Sequence, residues 1–136
     1  MIQPIMQDVL FLSQPSLPAT AKDKRVGKDL LDTLEANADR CVGMAANMIG
    51  VKKRIIVFTQ GKHSVLMFNP VIIAKRKPYE AEEGCLSLPG ERPTTRYEEI
   101  TVAYQDAKMR PQKESFQGFV AQIIQHECDH LEGILI

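Results

Sequence analysis

Two histidines separated by three residues, His126 and His130, constrain this chain more than any other feature. On an α-helix, positions i and i+4 lie on one face, so both imidazoles can bind a single metal ion. Glu127 then lies beside the metal, where its carboxylate can take a proton from bound water. The pattern therefore predicts a helix that carries the centre of a metal-dependent hydrolase.

A third protein ligand decides which kind of hydrolase this is. A zinc peptidase takes that ligand from a Glu or His further along the chain, but here only Glu132 follows, and it is too close on the same helix. We therefore expect the third ligand upstream, where Cys85 lies in the turn-like, glycine-containing segment Glu83–Ser87. One thiolate and two imidazoles form a known catalytic set, with a fourth position open for water.

These segments together resemble the peptide deformylase family. That family carries, in order, a glycine-containing Ala-Ala motif, Glu-Gly-Cys-Leu-Ser, and Gln-His-Glu-x-Asp-His, and here they correspond to residues 43–50, 83–87 and 125–130. The resemblance covers nearly the whole chain. It implies a hydrolase that removes the N-formyl group from N-formylmethionyl peptides as they leave the ribosome, releasing formate. It also implies iron(II) as the metal in the cell, with zinc or nickel able to occupy the site.

Composition indicates a single domain, residues 1–136, with an ordinary apolar content. Lys plus Arg and Asp plus Glu each number 17, so bulk charge gives no support for binding nucleic acid or an anionic membrane. No apolar run approaches the roughly 20 residues of a membrane span, and the N-terminus lacks a signal pattern. Three cysteines make no disulfide framework, which favours a reducing cytoplasm. Nothing demands more than a monomer.

Hydrophobic periodicity predicts an α+β fold: antiparallel or mixed β-sheets around the C-terminal ligand helix, with a further helix near the N-terminus. The first 20 residues read as an extended segment. A helix is expected over about Lys22–Arg40, then strands at Arg54–Thr59, Ser64–Phe68, Val71–Lys75 and residues 98–105, with a hairpin turn at 60–63 and a last short strand after a turn at 106–111.

The last helix is predicted to start between Phe116 and Phe119 and to end near Glu132, with Gly133 as its C-cap. Phe119, Ile123, His126 and His130 follow an i, i+4, i+7, i+11 stripe, so the ligands should continue the buried face.

The resemblance also implies roles around the centre, and an ordinary structural role is equally open at each position. Val42, Gly43 and Ile123, together with Phe119, would line the cleft for a methionine side chain, and Gly43 would let the substrate backbone approach as an added strand. Arg92 would lie near that backbone. The backbone N–H of Leu86 would donate to the oxyanion. Supporting contacts would come from Glu83, Ser87, Gln125 and Asp129. Metal binding is not expected of Cys41, which should pack at the end of the first helix, of Cys128, which should face away from the metal, or of His63, which should be solvated in a turn.

One position departs from the family pattern. Most deformylases have a glutamine that donates a hydrogen bond to the formyl oxygen, and here that position is Met48, which donates nothing. Cys41 also replaces a usual glycine. Loss of one such donor typically costs about 10²–10³ in rate. Two alternatives to efficient deformylation therefore stay open: a related amidase with a different acyl substrate, and a low-activity or non-catalytic metal-binding relative.

Overall fold

The computed structural model describes residues 1–85 and 88–135 and has an α+β architecture. Five described strands form one antiparallel sheet in the order β1-β2-β3-β4-β5. The strands are β1 (Gly43–Ala45), β2 (Ile55–Gln60), β3 (His63–Cys85), β4 (Leu88–Gln105) and β5 (Pro111–Gln117). The helices are α1 (Val9–Leu12), α2 (Lys24–Ala36) and α3 (Gly118–Leu131), with 3₁₀ turns at Ala21–Asp23 and Ala46–Ile49. The predicted fold class is confirmed.

Strand β2 lies in the middle of three layers. Ile56 and Phe58 pack in the cluster that includes α3, whereas Ile55 and Val57 pack in the cluster that includes α2. Successive side chains of a strand point to opposite faces, so all four are buried only because each face is covered by a helix. This arrangement fixes α3, with its histidines, on one side of the sheet.

Strand β3 is longer than the sequence predicted. It includes both of the segments that we expected as separate strands, and it continues to Cys85. The break predicted at Asn69 is a bulge: Phe68 pairs with Gln105, and the next pairing joins Val71 to Ala103. Asn69 adopts a positive φ of 52°, and its side chain bonds both the N–H and the carbonyl of Ala19, which stabilises the irregular backbone.

The helix predictions hold with two corrections. Helix α2 is shorter than expected and is preceded by a 3₁₀ turn that Thr20 caps through the Lys22 N–H, and α1 interrupts the extended N-terminal segment. Helix α3 ends as predicted, and Gly133 has the left-handed φ of 78°. The stripe prediction is wrong at Phe119, which is 63% exposed, because it is the second residue of α3 and precedes the turns that enter the core.

No helix among the described residues is long and apolar enough to cross a membrane.

Candidate metal centre and active site

Three potential ligands converge where the end of β3 meets α3. Sγ of Cys85 and one ring nitrogen each of His126 and His130 all lie within 4.8 Å of one another. The two Nε2 atoms are 3.1 Å apart, which matches the prediction that a four-residue spacing brings both rings to one face. Both histidines are buried, and Cys85 is partly buried. The predicted ligand set is therefore assembled in space.

The chemistry of this donor set fits a divalent metal ion. Nδ1 of His126 lies 2.8 Å from Oε1 of Glu83, which leaves its Nε2 facing the other donors. Burial lowers the pKa of His126, but hydrogen bonds with Cys85 and Glu83 outweigh it and raise that pKa to about 10, so a metal ion has to displace a proton from this ring when it binds. Burial lowers the pKa of His130 to about 3, so this ring is neutral, as a ligand must be. One thiolate and two imidazoles suit iron(II) or zinc.

Glu83 is held by Arg96, a residue that the sequence analysis missed. Arg96 is 3% exposed, its Nε and Nη2 donate to the Glu83 carboxylate at 2.6–3.1 Å, and its Nη1 donates to Asp129 at 2.6 Å. Burial opposes ionisation of Glu83, but bonds from His126, Arg96 and Gln122 lower its pKa to about 2. Glu83 therefore stays anionic and orients the His126 ring.

A signal for Arg96 was present in the sequence. It has the same parity along β4 as the buried residues Ile100, Val102 and Tyr104, so strand alternation places it on the inner face. A buried arginine needs carboxylate partners, and Glu83 and Asp129 are those partners.

Gln125 fixes α3 to the sheet and makes no contact with a histidine ring among its described hydrogen bonds. Its Oε1 accepts from the Tyr97 N–H at 2.8 Å, and its Nε2 donates to the Tyr97 carbonyl at 2.8 Å. The side chain thus satisfies both backbone groups of a β4 residue, and it sets the position of the helix that carries the ligands.

Glu127 is buried beside the ligands, with 4% of its surface exposed. Burial raises the pKa of its carboxyl to about 7, against a smaller lowering by His126. Its Oε1 is buried and has no hydrogen-bond partner within the described part of the chain. A carboxyl group with a pKa near neutrality is suited both to take and to return a proton.

These groups open onto a cleft of about 420 Å³. One wall comes from the segment before and within β1, a second from the end of β3, and the floor from α3. The lining residues include Arg40, Cys41, Val42, Gly43, Met48, Glu82, Glu83, Gly84, Cys85, Phe119, Gln122, Ile123, His126 and Glu127. A cleft that is lined by a buried acid and by two of the three potential metal donors, Cys85 and His126, is typical of a hydrolase active site.

Known proteins share both the sequence and the fold. The profile of the polypeptide deformylase family matches residues 2–136. A peptide deformylase from Clostridium beijerinckii is 61% identical over 136 residues, covering 100% of both chains. One from Nitrosococcus oceani is 40% identical over 131 residues, covering 91% of this chain and 77% of that protein.

The chain belongs to the peptide deformylase family.

Solved deformylase structures agree. That of the Thermotoga maritima enzyme superposes with a TM-score of 0.90 at 30% identity, covering 99% of this chain and 95% of that one. The class I type b enzyme from Acinetobacter baumannii, with Met-Ala-Ser bound, gives a TM-score of 0.89 at 28% identity, covering 99% and 97%. The protein is thus a hydrolase that removes the N-formyl group from nascent peptides, in a metal-dependent family. The predicted deformylase function is confirmed.

Some of the residues that we predicted to contact the substrate of this deformylase line the cleft, and others do not. Val42, Gly43 and Ile123 line the cleft, and so does Phe119 despite its exposure. Arg92 is not among the described lining residues; its Nη2 donates to the Pro89 carbonyl at 3.2 Å, so its substrate contact stays a prediction. The predicted oxyanion donor, the Leu86 N–H, lies outside the described residues, as does Ser87.

Gly43 is required by the close approach of α3. A Cβ built on it would lie 2.6 Å from Cγ2 of Ile123 and 3.0 Å from Oε2 of Glu127. Real Cβ atoms essentially never make contacts as short as the 2.6 Å to Ile123. Whatever its role toward a substrate, this deformylase glycine makes room for the carboxylate and for the helix that carries it.

Met48 is found at the position where the family pattern led us to expect a glutamine. Its side chain is 1% exposed and lines the cleft, and its Sδ accepts from the Ala45 N–H at 3.5 Å. The neighbouring Asn47 does not replace the missing donor, because its Nδ2 donates to the His130 carbonyl at 2.9 Å. The cleft therefore presents a thioether at the position where the family pattern led us to expect an amide.

The remaining cysteines and the third histidine lie outside the cluster of potential ligands found among the described residues. Cys41 was expected to pack at the end of the first helix, but α2 ends at Ala36, and Cys41 lines the cleft with its thiol donating to the Gly43 carbonyl at 2.9 Å. Burial raises the pKa of Cys41 to about 11 and that of Cys128 to about 12. Cys128 packs against the core cluster, and His63 is exposed, as expected.

Proposed function

We propose that the enzyme deformylates N-formylmethionyl peptides with Glu127 as its general base and acid, and with Cys85, His126 and His130 holding one ion. The ion is iron(II) in the cell, with zinc or nickel as possible substitutes. One observation supports this most strongly: the three donor atoms converge within 4.8 Å, and the same cleft holds Glu127, whose buried Oε1 has no hydrogen-bond partner among the described residues. When bound, the ion supplies a Lewis acid that polarises a carbonyl and lowers the pKa of water.

Glu127 moves the proton. Water attacks the formyl carbon, and its proton passes to the Glu127 carboxylate. The carbon–nitrogen bond then breaks, the carboxyl returns the proton to the departing amine nitrogen, and formate leaves together with the free peptide. Burial supports both halves of this cycle, because a carboxyl group with a pKa of about 7 gains and loses a proton at little cost near neutral pH.

The sheet provides backbone for the peptide. β1 is the edge strand of the sheet, and β3 beyond Phe68 pairs only with β4 among the described strands. Val42 and Gly43 on one wall and Gly84 on the other line the cleft. An extended peptide placed between these walls can pair with their backbone groups, and Val42 and Ile123 then pack beside the methionine side chain. The Acinetobacter enzyme binds the related tripeptide Met-Ala-Ser.

The site supports a cytoplasmic location and a monomeric enzyme. A Cys85 thiolate has to stay reduced to bind metal, which favours the cytoplasm, where formylated chains emerge from the ribosome. All three ligands and Glu127 come from one chain, so a monomer suffices.

The test is formate release from formyl-Met-Ala-Ser by protein purified anaerobically with iron(II). Glu127→Gln should lower kcat by roughly 10²–10⁴ while iron content is retained, whereas Cys85→Ser should lose the iron. Glu35→Gln, at an exposed position on α2, is the matched control and should match the parent protein. Full turnover by the Glu127 variant, or full iron content in the Cys85 variant, would contradict the proposed roles.

A further inference from the structure

The cleft contains two charged side chains that the mechanism does not use. Among the charged lining residues, Glu83 is bonded to Arg96 and His126, and Glu127 serves as the base. Arg40 and Glu82 remain. Both are exposed, and neither has an ion-pair partner in the part of the chain that the structure describes. A ligand in the cleft therefore meets one available positive charge and one available negative charge.

These two charges lie on opposite walls of the cleft. Arg40 follows α2 and comes three residues before Gly43, and its Nη2 donates to Oδ1 of Asn37 at 2.9 Å. Because that partner is a neutral amide, the bond positions the guanidinium and leaves its charge uncompensated. Glu82 is in β3, three residues before the ligand Cys85.

The position of Arg40 sets which part of a peptide it meets. Gly43 adjoins the Glu127 carboxylate, so the reacting formyl group lies near that point. Three residues of chain span at most about 11 Å, and an extended peptide advances about 3.4 Å per residue. Arg40 is therefore reached by the second or third residue of the substrate, beyond the formylmethionine.

We propose that Arg40 is a specificity-determining residue that favours formyl peptides with an acidic side chain at position two or three, and that Glu82 disfavours the same side chain. This inference rests on the proposed placement of the peptide in the cleft. Because both groups are exposed, the discrimination is modest: an exposed ion pair contributes up to about 1 kcal/mol, which is about a fivefold preference. Salt should weaken it, since exposed charges are screened.

The experiment compares kcat/KM for formyl-Met-Glu-Ser and formyl-Met-Ala-Glu with the matching glutamine peptides, at low and high salt. We expect the acidic peptides to be preferred about two- to fivefold by the parent enzyme at low salt. The ratio should fall to one or below in Arg40→Gln, because Glu82 still repels an acidic side chain, fall further in Arg40→Glu, and rise in Glu82→Gln. Arg25→Gln, an exposed arginine on α2 outside the cleft lining, is the control and should keep the parent ratio.

Measuring peptide binding tests the same inference independently of the catalytic rate. The unformylated peptides Met-Glu-Ser and Met-Gln-Ser should differ in Kd for the metal-loaded enzyme in the same direction, and Arg40→Gln should abolish or reverse the difference. An acidic-to-neutral ratio that does not change between parent, Arg40→Gln and Arg40→Glu overturns the specificity role. Failure of the proposed function would give a different result, because the enzyme would then release no formate even from formyl-Met-Ala-Ser.

Discussion

Nδ1 of His126 lies 2.8 Å from Oε1 of Glu83, and this contact joins the candidate metal centre to the buried ion pair behind it. Arg96 donates to both oxygens of the same carboxylate and also to Asp129. The ring orientation of a candidate metal ligand thus depends on an arginine of β4 and an aspartate of α3. A histidine fixed in this way loses little conformational freedom when it binds an ion.

The depressed pKa of Glu83 predicts a loss of stability in acid. Its pKa is about 2 in the folded protein and near the ordinary 4.5 when unfolded, so between these values the unfolded chain binds more protons. The stabilisation is therefore complete above about pH 4.5, and it is lost as the pH falls toward 2. Denaturant unfolding of metal-free protein measured at several pH values should show this decline.

Glu83→Gln supplies the comparison for this prediction. The variant cannot ionise at position 83, so its unfolding free energy should fall less steeply across the same pH window. Parallel curves for the two proteins would show that Glu83 is not the group responsible.

Gly43→Ala should reduce both stability and turnover. Its Cβ would lie 2.6 Å from Cγ2 of Ile123 and 3.0 Å from the Glu127 carboxylate, so the helix or the edge strand must shift. Overpacking of this kind typically costs about 1–3 kcal/mol. Ile123→Ala removes the clashing methyl group, so in a double-mutant cycle of unfolding free energies the pair should be less destabilised than the sum of the single variants. Strict additivity would contradict the clash.

Met48→Gln should raise kcat/KM on formyl-Met-Ala-Ser. Met48 lines the cleft and its Sδ accepts from the Ala45 N–H. A glutamine Oε1 can take over that acceptor role and leave Nε2 free to donate to the developing oxyanion. One such donor is worth about 10²–10³ in rate at most. Met48→Leu, which changes packing without adding a donor, is the control, and a glutamine variant no faster than the leucine variant would argue against this role.

The sequence predicted the centre well because its information is local. A four-residue spacing on a helix fixes the relation of His126 to His130, and this needs no knowledge of the rest of the fold. The elimination of Glu132 left Cys85 as the third donor, and the structure brings the three together. Runs of apolar and β-branched residues likewise located β2 and the start of β3, and alternation located the end of β4. The strand β1 was not predicted, and the bulge at Asn69 joined two predicted strands into one.

What the sequence did not predict depends on contacts between distant segments. Arg96 can be buried because it forms ion pairs with Glu83 on β3 and Asp129 on α3. These partners are distant in sequence, so no local pattern predicts the pairing. Phe119 continued a helical stripe but lies before the helix enters the core, so periodicity alone placed it wrongly. Cys41 was assigned to a helix end that the structure places earlier, at Ala36.

Asn47→Ala should accelerate metal loss from the centre. Asn47 is fully buried, and its Nδ2 donates to the carbonyl of His130, a contact that joins the segment after β1 to the end of the ligand helix. Removing a buried hydrogen-bond partner typically costs about 1–3 kcal/mol, and here the affected backbone belongs to a ligand. The measurement is the rate at which a chelator extracts the metal, alongside the unfolding free energy of the metal-free protein.

Thr33→Ala is the matched control, because Thr33 is equally buried and its Oγ1 accepts from the Gln3 N–H at 2.9 Å, away from the centre. Both variants should destabilise the fold, since each leaves a buried polar group of the backbone with one partner fewer. Only the Asn47 variant should lose metal faster, because only its hydrogen bond ends on a ligand residue. Equal rates of metal loss in the two variants would mean that Asn47 contributes to general stability and does not position His130.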